Sequence, residues 1–429
     1  MKLLIKNGRV VDPANNIDSV MDILVENGKI AKVAKKINSV NGASVIEAKN
    51  LIVAPGFIDM HVHLREPGRE DKETILTATR AAARGGFTSV LGMPNTNPII
   101  DDQAAVEFVL NKAKRVGIVN VFTTGAATKN QQGKELAEIW ELWKTGAIAI
   151  TDDGSTVPNA EIMRRVLEYC SMYGLLYLSH SEDISLSEGS MHEGYVSTML
   201  GLNGKPAAAE DVIVAREIIL AEFTKSKVHF CHSSTKGSVE LVANAKKKGV
   251  NVTMETCPHY FSLTDEAVIG YNQNAKMSPP LRSKNHVEAI KKGLSSGVID
   301  VISTDHAPHL PVDKYVEFDA AANGIVGLET AVPLVMNNLV HANILGLSDA
   351  IAKMSANPAR ILGLKKGTLS VGADADITII DLDKEEIIEP SEFETKGRNT
   401  PFAGMKLKGI PVMTIVNGKV VMKDRKVTV

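Results

Sequence analysis

From about residue 57 to residue 305, short apolar runs alternate with longer stretches of helical periodicity. The strand-like runs fall at 57–64, 87–92, 118–125, 146–151, 175–180, 227–232, 250–256 and 299–304. Between them apolar residues recur at three- and four-residue intervals. Examples are 70–84 (Ile75, Leu76, Thr79, Ala82, Ala83), 158–173 (Ile162, Met163, Val166, Leu167, Cys170) and 207–223 (Val212, Val214, Ala215, Ile218, Ile219). Eight strands alternating with helices predict an α/β protein whose parallel sheet closes into a (β/α)8 TIM barrel. An open doubly wound sheet would need a glycine-rich phosphate turn after its first strand, and the sequence has none there.

The two ends carry a different pattern. Leu3-Leu4-Ile5, Arg9-Val10-Val11, Asp22-Ile23-Leu24-Val25 and Ile30-Ala31-Lys32-Val33 read as short β segments, with Asn7-Gly8 and Asn27-Gly28 at hairpin-turn positions. Near the other end Asp376–Ile380 and Val412–Val416 are strand-like, and the latter meets Lys419-Val420-Val421-Met422 across Asn417-Gly418. Neither end is apolar enough to fold alone. The pattern predicts a small β-sandwich domain built from residues 1–54 and 366–429, beside a barrel over 55–365.

Composition narrows the class. Of 429 residues 44% are hydrophobic and 23% charged, with a net charge of -2. This balance, without a Lys/Arg block, argues against nucleic acid as a partner. No apolar run approaches the roughly 18 residues that cross a bilayer, and Met1–Gly8 turns polar too soon for a signal peptide. A cytoplasmic enzyme is expected. Cys170, Cys231 and Cys257 lack metal-site spacing and sit in or beside apolar runs, which fits reduced, buried thiols.

Chemistry collects at the strand ends. His61-Val62-His63 follows Pro55-Gly56-Phe57-Ile58-Asp59-Met60, and two histidines two apart on a strand face the same way. Strand four ends in Thr151-Asp152-Asp153-Gly154, strand five in Ser179-His180-Ser181, strand six in Cys231-His232-Ser233 and strand eight in Thr304-Asp305-His306-Ala307-Pro308-His309. Six of the chain's 11 histidines lie at these ends, where barrel active sites form. His306 and His309 trail the last strand and are assigned to supporting or substrate roles. His61, His63, His180, His232, one of Asp152 and Asp153, and Asp305 then exceed the three protein ligands usual for one catalytic zinc. They suit two metals about 3.5–4 Å apart with a bridging carboxylate and a bridging hydroxide as nucleophile. Asp305 is placed to shuttle a proton between water and leaving group.

The motifs carry a resemblance. His61-Val62-His63-Leu64-Arg65-Glu66-Pro67-Gly68, Met93-Pro94-Asn95-Thr96, Asp152-Asp153-Gly154, Thr304-Asp305-His306-Ala307-Pro308-His309, Asn357-Pro358-Ala359 and Gly372-Ala373-Asp374-Ala375-Asp376 together resemble dihydroorotases of the class I type, in the amidohydrolase superfamily. The resemblance spans essentially the whole chain. It implies one zinc on His61, His63, Asp153 and Asp305 and a second on Asp153, His180 and His232, with Asp153 bridging. It implies Asp305 as general base and acid, and Arg65, Asn95 and His309 around the substrate carboxylate, beside His63, Ser278, Asn323 and Gly324. The implied reaction is the reversible cyclisation of N-carbamoyl-L-aspartate to L-dihydroorotate in pyrimidine synthesis. A homodimer is implied too, and a complex with aspartate transcarbamoylase is a further association the resemblance raises.

Two rivals follow from the same superfamily. Hydantoinases, dihydropyrimidinases and allantoinases usually bridge their metals with a carbamylated lysine at the end of strand four; Ile150-Thr151-Asp152-Asp153 offers none, and Lys144 precedes the strand. A non-catalytic homologue serving a transcarbamoylase would lose ligands, and this chain keeps all six. Two positions depart from the family pattern. Ser278 stands before Pro279-Pro280-Leu281-Arg282 where asparagine is usual, and Ala322-Asn323 precedes Gly324 where an apolar residue is usual.

Overall fold

The computed structural model describes residues 2–428. Eight parallel strands form the barrel: β1 (Phe57–Val62), β2 (Phe87–Gly92), β3 (Asn120–Thr123), β4 (Ala149–Ile150), β5 (Leu176–Ser179), β6 (Lys227–Phe230), β7 (Val252–Thr256) and β8 (Val301–Ile302). They pair as two arcs, β1 to β3 and β4 to β8. One seam is joined by a Gly125–Ile150 bridge, the other by a Val62–His306 bridge. At the second seam buried Asp59 accepts from Thr304 N at 3.1 Å and from Thr304 Oγ1 at 2.6 Å. Burial pushes the Asp59 carboxyl up to about 6.

All the observed strands but β2 are shorter than the apolar runs, because the last residues of several runs leave the ladder to become site loops. Period-two alternation explains the layering. Leu176 and Leu178 pack with Ile58, Met60, Leu91, Ala149 and Val301 from strands around the ring. Tyr177, on the opposite face of β5, packs with Val166, Leu167 and Cys170 of the helix Ala160–Tyr173. His180 continues the face of Leu176 and Leu178. The helices at Ile75–Gly85, Ala160–Tyr173 and Ala208–Thr224 match the predicted segments with starts shifted toward the cap residues Thr74, Asn159 and Ala207.

Both ends of the chain enter one nine-stranded sheet. Its central contact is antiparallel pairing of Ile52–Pro55 with Ile377–Ile387, through Ile377–Pro55 and Ile379–Val53. Leu3, Ile5, Val10, Ile23, Val25 and Ile30 share a core with Ile377, Ile379, Met413 and Ile415. Asn27-Gly28 and Asn417-Gly418 are two-residue hairpin turns with positive φ throughout, the twist-matched kind. Asn7-Gly8 is not a turn. It lies within one strand, Lys2–Asp12, where the register slips between Ile5 and Gly8. Asn7 takes φ 62°, with its N–H donating to Asp22 and its amide to Glu47. A Cβ on Gly8 would lie 2.5 Å from Val53 Cγ2. The pair therefore marks a bulge with close packing, a second use of the same dipeptide.

Candidate metal centre

The strand ends deliver six donors to one place. His61 is the fifth residue of β1; His63 follows it, its backbone N–H held by His306 O at 2.9 Å. Asp153 follows β4, with its N–H on Thr151 Oγ1 at 3.0 Å. Its neighbour Asp152 is turned away, accepting from Ala127 N and Thr128 N at 2.8 and 3.0 Å and from the Thr128 hydroxyl. Asp153 is thus the aspartate that faces the mouth. Its Oδ1 lies 3.3 Å from His61 Nε2 and 3.4 Å from both His180 Nδ1 and His232 Nε2; its Oδ2 lies 3.6 Å from His63 Nε2. Asp305 Oδ1 lies 3.0 Å from His63 Nε2 and 3.7 Å from His61 Nε2.

These residues fit a metal. A tetrahedral site with ligands at about 2.1 Å needs donor–donor edges of about 3.4 Å. His180 Nδ1 and His232 Nε2 approach within 2.9 Å of each other and share the same carboxylate oxygen. His61 Nε2 is fully buried with no hydrogen-bond partner among the described residues, an arrangement that costs free energy unless a cation engages it. Asp153 collects all four imidazoles, as a bridging carboxylate would. Burial opposes charge on Asp153, but His61, His180 and His232 outweigh it and hold the carboxyl well below the usual carboxylate range. Asp305 is likewise opposed by burial and brought down to about 2, chiefly by His63.

Three imidazoles are fixed through their other nitrogen. His61 Nδ1 meets Glu255 Oε1 at 3.0 Å, His63 Nδ1 meets Asn95 Oδ1 at 2.9 Å, and His180 Nε2 meets Glu182 Oε2 at 3.2 Å. Such partners set the tautomer and aim the donating nitrogen. Glu255 comes from β7 and also binds His229 Nε2 at 3.2 Å; Cys231 and Glu255 lie together behind His61. Backbone strain concentrates here as well. Arg65, His232 and Asp305 have φ of 61°, 32° and 49°, a region that costs on the order of 1–3 kcal/mol for such residues and persists where surroundings impose it.

Above the donors opens a cavity of about 400 Å³. Its walls include His63, Arg65, Asn95, Asp153, His180, His232, Ser278, Asp305, His309, Asn323 and Gly324. Every metal-ligand and substrate residue expected from the sequence therefore reaches it, except His61, which is buried beneath, and His306. Arg65 is half-buried, and burial lowers its guanidinium to about 10, still a cation at neutral pH. It donates to Pro308 O at 3.3 Å and has no acidic partner within ion-pair distance among the described residues. His309 Nε2 donates to Asn323 O at 2.8 Å while Nδ1 accepts from Lys72 at 3.2 Å, the pattern of a neutral ring. Burial, then Arg65 and Lys72, push that ring down to about 3. His306 does not reach the cavity. It is buried, accepting from Gly327 N at 3.1 Å and facing Glu73.

Four participants were not found in the sequence: Glu182, Lys205, His229 and Glu255. Glu255 is a lone acid inside the apolar run of β7, a signal in itself. Glu182 sits two residues past His180. Nothing local marks Lys205.

The amidohydrolase family profile matches residues 52–421. A dihydroorotase of Pelotomaculum thermopropionicum is 55% identical over 426 residues, covering 99% of each chain. A dihydroorotase of a Geobacter species is 54% identical over 422 residues, 98% of this chain and 99% of that one. Among solved structures, the L-hydantoinase (dihydropyrimidinase) from Arthrobacter aurescens superposes with a TM-score of 0.90 at 26% identity, over 100% of this chain and 97% of that one. The chain belongs to the amidohydrolase family, and within it to the group of the dihydroorotases.

Proposed function

We propose that the protein is a zinc-dependent dihydroorotase that interconverts N-carbamoyl-L-aspartate and L-dihydroorotate for pyrimidine synthesis in the cytoplasm. The observation that carries this reading is the Arg65 guanidinium at the rim of a six-donor centre, without an acidic partner among the described residues. A half-buried cation without an acidic partner is matched to a substrate carboxylate. Hydantoins lack that carboxylate, so Arg65 separates the proposal from the hydantoinase reading.

His61, His63, Asp153 and Asp305 would hold one metal, and Asp153, His180 and His232 a second. Metals so bound lower the pKa of water and polarise a carbonyl. The chain's own groups do the rest. Arg65 and the Asn95 amide nitrogen hold the carboxylate and so fix the ring over the centre, and the His309 Nε2–H joins them by leaving Asn323 O. Asp305 Oδ1 faces His63, leaving Oδ2 to take the proton of the attacking water. In ring opening Asp305 passes that proton to the departing ring nitrogen; in ring closure it takes the proton from the ureido nitrogen as that nitrogen attacks the side-chain carboxyl, and returns it to the carboxyl oxygen that leaves as water. Glu255, Asn95 and Glu182 keep three imidazoles aimed through both directions.

The test is turnover of L-dihydroorotate and of hydantoin by the zinc-loaded protein. Hydrolysis of the first and neglect of the second supports the proposal; the reverse preference overturns it.

A further inference from the structure

Of the buried charges around the centre, Lys205 is the one this mechanism leaves without a role, and its ion pair lies in the cavity wall itself. Lys205 and Glu182 are joined directly, and both line the cavity. Lys205 is 7% exposed. Its Nζ also donates to Ser278 Oγ at 2.9 Å, and Ser278 Oγ lies 3.2 Å from Glu182 Oε2. Glu182 in turn meets His180 Nε2 at 3.2 Å.

An ammonium has three N–H donors and no acceptor. Glu182 and Ser278 take two, and the third has no protein acceptor among the described residues. A buried donor without a partner costs free energy, and the side chain borders the cavity. The Ser278 hydroxyl is already engaged by the ion pair, so the free donor at this wall belongs to Lys205, which Ser278 and Glu182 hold in place.

Resting on the dihydroorotase reading, the substrate ring offers three polar points. Its carboxylate is assigned to Arg65, Asn95 and His309. The amide carbonyl at which the ring opens belongs over the metal donors. The ureide carbonyl remains, an acceptor flanked by N–H groups. We infer that Lys205 is a substrate-binding residue whose ammonium donates to the ureide carbonyl of dihydroorotate and carbamoyl aspartate. The contact exists in both substrate and product, so its loss raises KM more than it lowers kcat.

The competing account is that Lys205 only neutralises Glu182. The experiment compares Glu182→Gln with Glu182→Gln/Lys205→Met, both zinc-saturated, on both substrates. The pair differs only in Lys205, and neither leaves an unpaired buried carboxylate that could unfold the chain. The inference predicts a KM at least about tenfold higher in the double variant, with kcat within about threefold, as loss of one charge-assisted hydrogen bond requires. A KM within twofold of the Glu182→Gln value, or a loss confined to kcat, overturns it. The wild-type protein run alongside separates the two levels: no turnover of dihydroorotate by wild type defeats the functional reading, whereas normal wild-type turnover with unchanged KM in the double variant defeats only the assignment of Lys205.

Discussion

Arg65→Met removes the cation on which substrate choice is argued to rest. Arg65 makes no ion pair among the described residues; its protein contacts are Pro308 O at 3.3 Å and the edge of His309 at 3.4 Å. Its φ of 61° is equally unfavourable for methionine, so the backbone cost cancels. Folding stability should therefore change by no more than about 1.5 kcal/mol, the scale of the one hydrogen bond to Pro308 O that is given up. Binding should change more. A hydrogen bond to a charged group contributes about 1.5–3 kcal/mol, and 1.4 kcal/mol is a factor of ten. KM for L-dihydroorotate should rise roughly 10- to 150-fold. The carboxylate is held alike in ground and transition states, so kcat should fall much less. Steady-state kinetics with a parallel thermal melt read both quantities. A variant with wild-type KM and an unchanged melt would refute the role, because the fold would be intact and the carboxylate would be bound elsewhere.

Asp305→Asn should lower kcat by at least about 10²-fold with little change in KM, the scale of general acid–base work; kinetics at saturating zinc check it. Ser278→Ala should weaken substrate binding by about 0.5–1.5 kcal/mol, part of the charge-assisted hydrogen bond that holds Lys205 in place; unchanged KM would mean the serine is idle. Gly8→Ala should destabilise the small β domain by about 1–3 kcal/mol through overpacking against Val53, read from urea unfolding. Lys314 is buried against the carbonyls of Lys276, Ala322 and Gly324, and burial lowers its amine to about 7. Between pH 7 and about 10 the unfolded chain binds this proton and the folded one does not, so this group's contribution to stability rises with pH. The stability difference between wild type and Lys314→Met, from urea midpoints, should therefore grow from pH 7 to pH 10; a flat difference would contradict the shift.

The barrel was legible because buried parallel strands read as apolar runs and their helices as three- and four-residue spacings. The runs overshot the strands because Arg65, His232 and Asp305 sit in or beside runs whose ends leave the ladder at positive φ. Apolar pattern does not record that departure. The donors were legible for a related reason: His and Asp at the ends of apolar runs have no core role to play. Between Asp152 and Asp153 the residue pattern was silent, since only the Thr128 loop decides which one turns inward. The Lys205–Glu182–Ser278 cluster was hidden for the same reason. Its contacts span 23 and 73 residues, and no local spacing reports them. Asn7-Gly8 was misread because the dipeptide's left-handed preference serves a bulge as well as a hairpin.

The central claim is that six side chains form a metal centre that acts on dihydroorotate. The direct measurement is zinc titration of metal-stripped protein, with bound metal and L-dihydroorotate turnover followed together, for wild type and for His61→Ala/His63→Ala. Wild type should bind two zinc ions, one more tightly, and gain activity as they load, while the double variant loses metal and turnover alike. Undiminished turnover by the metal-free double variant would contradict the account.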